Sequence, residues 1–119
     1  MTGDLFEASS DAIDDLRRRY RTLVHTTLPA AARSRGWPIH LDHCFARVLL
    51  DCACERPWAE VIARPAWRNA PEAVLTRAIE LGEAALSGDA DMAELNRRSL
   101  MLRGKLAGRS PPSASRKSG

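Results

Sequence analysis

The chain is predicted to be all-α, a compact bundle of four main helices with one or two short helices and a disordered C-terminal tail. Three observations predict this. Apolar residues recur at spacings of three and four in four separate segments, the period of one face of a helix. Those segments are punctuated by Ser, Asp and Asn at their starts and by Gly or Pro at their ends, residues that cap helices or stop them. No segment shows the strict apolar–polar alternation of a half-buried strand. Residues 1–107 read as a single helical domain and 108–119 as a flexible basic tail rich in Ser and Pro.

The first helix is expected over 11–28, where Ile13, Leu16, Tyr20, Leu23, Val24 and Thr27 share a face. Ser9 or Ser10 would cap it, with Asp11, Asp14 and Asp15 near the positive end of its dipole. Pro29 ends it and opens a short helix, PAAARSR, which Gly36 closes. Trp37 precedes Pro38 and is driven toward extended geometry, so GWPIHL is a linker. Asp42 then caps a second helix over about 43–55 with Phe45, Val48, Leu49 and Cys52 as its apolar stripe. Pro57 suits the first turn of a short helix, WAEVIA, and RPAWRNAP reads as irregular. Asn69 with Glu72 has the spacing of a capping box before a third long helix reaching about residue 86. Its Leu75, Ala78, Ile79, Gly82, Ala85 and Leu86 share a face whose small members admit a close neighbour. Asp91 with Glu94 repeats the capping spacing, and the last helix carries Met92, Leu95, Ser99, Leu102 and Leu106 near one side.

A hydrophobic content of 45% is enough for a core, and the 28% of charged residues is ordinary for a globular chain, which excludes disorder throughout. The net charge of +3 permits attraction to nucleic acid or an acidic partner without demanding it. Arg109, Arg116 and Lys117 place much of that charge in the tail. No stretch approaches the roughly 18 apolar residues of a membrane span, and MTGDLFEASSD is acidic where a signal peptide is basic and apolar. A cytoplasmic protein with reduced thiols is expected, since the three cysteines are odd in number and Cys52 and Cys54 are too close on one helix to pair.

The richest stretch is HLDHCFARVLLDCAC, residues 40–54. As a zinc site it fails on spacing: Cys44 and Cys52 are ~12 Å apart along one helix, and Cys52 and Cys54 point about 200° apart. No metal and no cofactor are expected. As a thiol nucleophile it has Cys44 in a first helical turn, where the dipole lowers a thiol pKa, with His43 or His40 as base. As a core helix with a polar edge it accounts for Cys44 and Cys52 as packing residues and Asp42 as a cap. Arg47 and Asp51 fit that last reading least well. They are one turn apart in the less favourable order, and an exposed helical pair contributes only ~0.3–0.5 kcal/mol.

The last helix offers a complement. Asn96, Ser99 and Arg103 are spaced three and four apart on one strip, and Lys105 adds a donor near the helix end. If this helix packs beside the second, Arg47, Asp51, Asn96, Ser99, Arg103 and Lys105 line one groove suited to a phosphate or carboxylate. Arg17, Arg18 and Arg19 spread around the first helix and read mostly as solvated surface. Trp37, Trp58 and Trp67 flank the irregular segments and read as covers over the ends of the core.

Taken together, DHCFARVLLD, the nearby PW and RPAW, and the distal LNRRSLMLRGK resemble a set of small bacterial helical proteins without assigned chemistry, some of which carry the label GCN5-related N-acetyltransferase. The resemblance spans about residues 35–106. It implies a helical architecture and a shared surface of Asp42, His43, Arg47, Asp51, Asn96, Ser99, Arg103 and Lys105, and it supplies no reaction. The expected function is a non-enzymatic binding module whose polar groove, centred on Arg47 and Arg103, recognises nucleic acid or an acidic protein surface, with Asp51 holding Arg47 in place. The alternative is a small transferase, either the acetyltransferase of that label or one using the Cys44 thiol with His43. A homodimer through the Gly82 and Ala85 face is a third possibility.

Overall fold

Four helical rods and two short helical pieces account for the fold in the computed structural model, which describes residues 2–104, with side chains from residue 12 onward. Among these residues there is no strand. Lys105, Leu106 and the basic tail lie outside the described residues.

The first rod is longer than its apolar stripe. Helix α1 runs Thr2–Thr22, so Ser9 and Ser10 are interior positions and not caps. Nor does Pro29 stop it. A π-helical turn, Leu23–Thr27, links α1 directly to α2, Leu28–Arg35. In an α-helix the Pro29 ring would crowd the carbonyl of His25, one turn back. The π turn, closed by the Leu28 N–H on the Leu23 carbonyl, widens the helix just ahead of the proline, and the rod continues. Gly36 ends it in the left-handed conformation, φ 64°, as expected.

Helix α3, Asp42–Cys54, is the centre of the molecule and packs against the π turn and α2 as well as the helices that follow it. Phe45, Val48, Leu49 and Cys52 are buried as the periodicity predicts, and so are Leu50 and Asp51. Burial on more than one side is the reason: residues 56–70 wrap back over the flank of α3 that an amphipathic helix would show to water. That segment holds a single 3₁₀ turn, Trp58–Glu60, in place of the helix expected over WAEVIA, and a one-turn helix α4, Ala66–Asn69, inside the stretch expected to be irregular.

Helix α5, Glu72–Ser87, begins without the Asn69 capping box. Asn69 lies in α4 and its side-chain amide donates to the Ala63 and Pro65 carbonyls, each at 3.1 Å. The small-residue face of α5 turns inward. Gly82 and Ala85 are buried, and a Cβ at Gly82 would lie 2.6 Å from Leu23 Cδ2 and 3.3 Å from Leu49 Cδ1. This face is therefore spent within the chain and does not form the outer dimer surface envisaged for it. Helix α6, Met92–Leu102, is capped by Asp91, whose carboxylate accepts from the Ala93 N–H at 3.1 Å. Glu94 completes no box; it pairs with Arg97.

One apolar core holds these elements together, with Tyr20, Leu28, Phe45, Leu49, Leu75 and Met92 among its buried members. Trp37 closes one end of it, edge-on to Phe45 with ring centres 5.9 Å apart. No described helix is long and apolar enough to cross a membrane.

Candidate functional site

The packing of α6 against α3 brings together five of the six residues expected to form a groove; the sixth, Lys105, lies outside the described residues. Arg47 donates through Nη1 to Ser99 Oγ and through Nη2 to Asn96 Oδ1, both at 2.7 Å. Ser99 passes its own proton on, donating to Asp51 Oδ2 at 2.7 Å. Arg103 grips the same carboxylate with Nε at 2.6 Å and Nη2 at 3.1 Å, and the Trp58 backbone N–H meets Asp51 Oδ1 at 2.8 Å.

Asp51 does not hold Arg47 directly. Helical side chains lean toward the N-terminus, so Arg47 reaches away from a carboxylate one turn after it, while α6 places Ser99 and Arg103 where Asp51 can be met. Asp51 and Ser99 are fully buried, and Arg103 keeps a quarter of its side-chain exposure. What forms is a closed tie. Both guanidinium groups already donate to protein acceptors, and the single formal charge left over is shared through two hydrogen-bonded side chains.

An open polar surface lies between α1 and α4. Arg17, Arg18, Arg21 and Arg68 line a groove of 540 Å³ in which, among the described residues, Asp14 is the one lining carboxylate. Arg17 and Arg18 have exposed partners one turn earlier, Asp14 at 3.1 Å and Asp15 at 3.2 Å, pairs of the kind that contribute little in water. Arg17 Nε is buried with no acceptor among the described residues. Arg21 instead lies over the Trp67 ring, 4.2 Å from its centre. Arg19 leaves the stripe, 3.6 Å from Glu83 on the far side.

Trp67 and His25 also belong to a second cavity of 390 Å³, so groove and cavity share a wall. Its lining is mainly apolar, with Leu50, Trp58, Pro65 and Trp67, and its polar groups are Tyr20, His25, Asp42, His43 and Arg64. Comparison of the chain with family models, with curated proteins and with solved structures returned no match. The geometry of these two hollows is therefore the ground for a functional reading.

At the cavity mouth, His25 Nδ1 lies 2.9 Å from Asp42 Oδ2, tying the π turn to the start of α3. The hydrogen bond from His25, joined by that from the His43 N–H at 2.7 Å and by the charge of both imidazoles, holds the Asp42 carboxyl below the usual range. A depressed carboxylate stabilises the fold above its unfolded value and loses that contribution as pH falls through its folded value. In carbon-detected NMR, the Asp42 carboxyl is expected to titrate below about 3.9, and to move up toward that figure in His25→Ala. Titration at about 3.9 in the unsubstituted protein would show that the pair does not form in solution.

The residues of the thiol alternative are not brought together. Cys44 is half-buried against the core, while the exposed His43 ring turns to Asp42 at 3.8 Å. Cys52 is buried, burial pushes its thiol pKa up, and its Sγ approaches the Leu95 carbonyl at 3.5 Å. All three cysteines are free, and no group of three His, Cys, Asp or Glu side chains among the described residues is placed to hold a metal.

The groove on α1 is not apparent from the run Arg17, Arg18 and Arg19, whose consecutive members spread around the helix. Its signal was present in the spacing: Asp14, Arg17, Arg18, Arg21, Thr22 and His25 follow one another by three, one, three, one and three, a polar face as periodic as the apolar one. The contribution of Arg68 and Trp67 had no such signal, because it depends on where residues 56–70 fold back.

Proposed function

We propose that the chain is a cytoplasmic, non-enzymatic binding module for single-stranded nucleic acid, with the sugar–phosphate backbone seated in the groove between α1 and α4. The observation that carries this reading is the convergence of Arg17, Arg18, Arg21 and Arg68 on one hollow whose described lining holds a single carboxylate. Guanidinium groups meet phosphate oxygens through directed pairs of N–H donors, which suits a row of anions. An acidic protein surface would use the arginines alone. A single strand would also use the apolar, tryptophan-walled cavity beside them, since it carries flat apolar groups on a charged backbone.

In this reading Arg47, Asp51, Asn96, Ser99 and Arg103 serve the site from behind, holding α6 on α3 and so keeping the core on which α1 and residues 56–70 are mounted. Lys105, Arg109, Arg116 and Lys117 add attraction that salt screens. Three free cysteines suit a reducing compartment. The transferase alternative, by acetyl transfer or through Cys44, has no comparable convergence behind it.

The test is fluorescence anisotropy of a labelled single-stranded oligonucleotide over a range of salt. Affinity is expected to fall with a log–log slope of about −2 to −3, as three or four phosphates engaged at ~0.7 each would require. Arg21→Glu with Arg68→Glu is expected to weaken binding at least ~100-fold, near the loss for two charged contacts of about 1.5 kcal/mol each. Equal binding of polyglutamate would favour the acidic-protein reading. An affinity indifferent to salt or to the double substitution would end the proposal.

A further inference from the structure

We infer that the cavity beside the groove is a base pocket, receiving one unpaired nucleobase of the strand whose phosphates the arginines hold. The inference rests on the nucleic-acid reading and adds to it the place and the chemistry of base recognition. Its ground is the cavity lining, two indole walls with hydrogen-bonding groups beside them. Tyr20 is 2% exposed, and its remaining surface lies on the cavity wall. Burial pushes its pKa well above the ordinary value, so the phenol keeps its proton at neutral pH. A hydroxyl on the wall of a mainly apolar cavity can meet a polar edge of whatever enters it.

The surroundings define what that something is. Trp58 and Trp67 are half-buried walls, and each is braced by a guanidinium, Arg64 at 5.2 Å from the Trp58 ring centre and Arg21 at 4.2 Å from that of Trp67. Flat apolar walls select a flat guest. The polar groups stand at the edges. With Nδ1 of His25 committed to Asp42, Nε2 is the ring atom left to meet a ligand, and Tyr20 offers a hydroxyl that both donates and accepts. A guest with planar faces, donors and acceptors along its edge and an anion attached on the groove side satisfies every one of these groups; a nucleobase on its sugar–phosphate has that form. The cavity volume of 390 Å³ is within the range of small-ligand sites.

A free mononucleotide shares this chemistry with a strand, so the experiment separates them. The full chain is titrated with a labelled oligonucleotide, with the same backbone bearing abasic sites throughout, and with adenosine, AMP and ribose 5-phosphate followed by tryptophan fluorescence. The normal strand is expected to bind roughly tenfold more tightly than the abasic one, the scale of stacking one base on an aromatic wall. Ala46→Phe, which fills the cavity, is expected to bring that ratio close to one, and Tyr20→Phe, which keeps the ring and loses the hydroxyl, to reduce it severalfold. Thermal melts of both variants check that the fold persists.

Equal affinity for normal and abasic strands, with salt dependence intact, would overturn the base pocket and leave the groove standing. Quenching by adenosine or AMP without any binding of the abasic backbone would overturn the groove and leave a mononucleoside site. Silence in every arm removes both.

Discussion

Asp51→Ala is expected to lower the stability of the protein by about 3 kcal/mol, the low end of the cost of breaking a buried charge pair from one side. Asp51 is fully buried and accepts four hydrogen bonds, two from Arg103, one from Ser99 and one from the Trp58 backbone. Its removal strands the Trp58 N–H and leaves the Arg103 charge facing the core without a counter-ion. Because Arg103 is one-quarter exposed, water recovers part of that loss, which is why the low end applies. For a domain of about this size the shift is roughly 12–24 °C in melting temperature. Asp51→Asn keeps the shape and some hydrogen bonds but not the charge, and is expected to fall between. Denaturant melts of the two variants, compared with Ser99→Ala, separate the charge from the hydrogen bonds. A change in Asp51→Ala of less than about 0.5 kcal/mol, the size of an ordinary surface substitution, would show that the α3–α6 tie does not carry the packing of α6.

Gly82→Leu is expected to be comparably severe, by at least ~2 kcal/mol, through overpacking. Even a methyl at this position would stand 2.6 Å from Leu23 Cδ2 and 3.2 Å from Leu23 Cγ, and Leu23 is itself buried on the π turn. Glycine inside a helix carries an entropic disadvantage of about 1 kcal/mol against alanine, so replacing it returns some stability, less than the clash removes. Gly82→Ala is expected to show the two effects nearly balanced if Leu23 can shift. The residues that meet Gly82 belong to the same chain, so the loss in Gly82→Leu should be the same at every protein concentration. A loss that vanishes on dilution of the unsubstituted protein, or grows with concentration, would place this face between copies instead.

Both substitutions strike residues that the sequence singled out for other reasons. Gly82 was visible as a small residue on an apolar stripe, but whether a helix of this chain or of another fills the space is not a property of the stripe. Asp51 was visible as a carboxylate in an apolar helix, with Arg47 its nearest cation in the chain. The partner it takes, Arg103, is 52 residues away. Local spacing ranks partners along one helix; packing brings in others that compete at shorter distance and with better direction.

Read by itself, the amino-acid sequence determined the four long helical segments and the apolar stripe of each, because periodicity is written within a few turns of chain. It also contained the polar face of α1, spaced as regularly as the apolar one. Tertiary structure alone decided that α1 continues through a π turn past Pro29, that residues 56–70 fold back over α3, and that the guanidinium groups of Arg47 and Arg103 are occupied while those of Arg21 and Arg68 line an open groove. These outcomes turn on contacts between residues far apart in the chain, where burial and hydrogen-bond competition, and not local propensity, set the free energy.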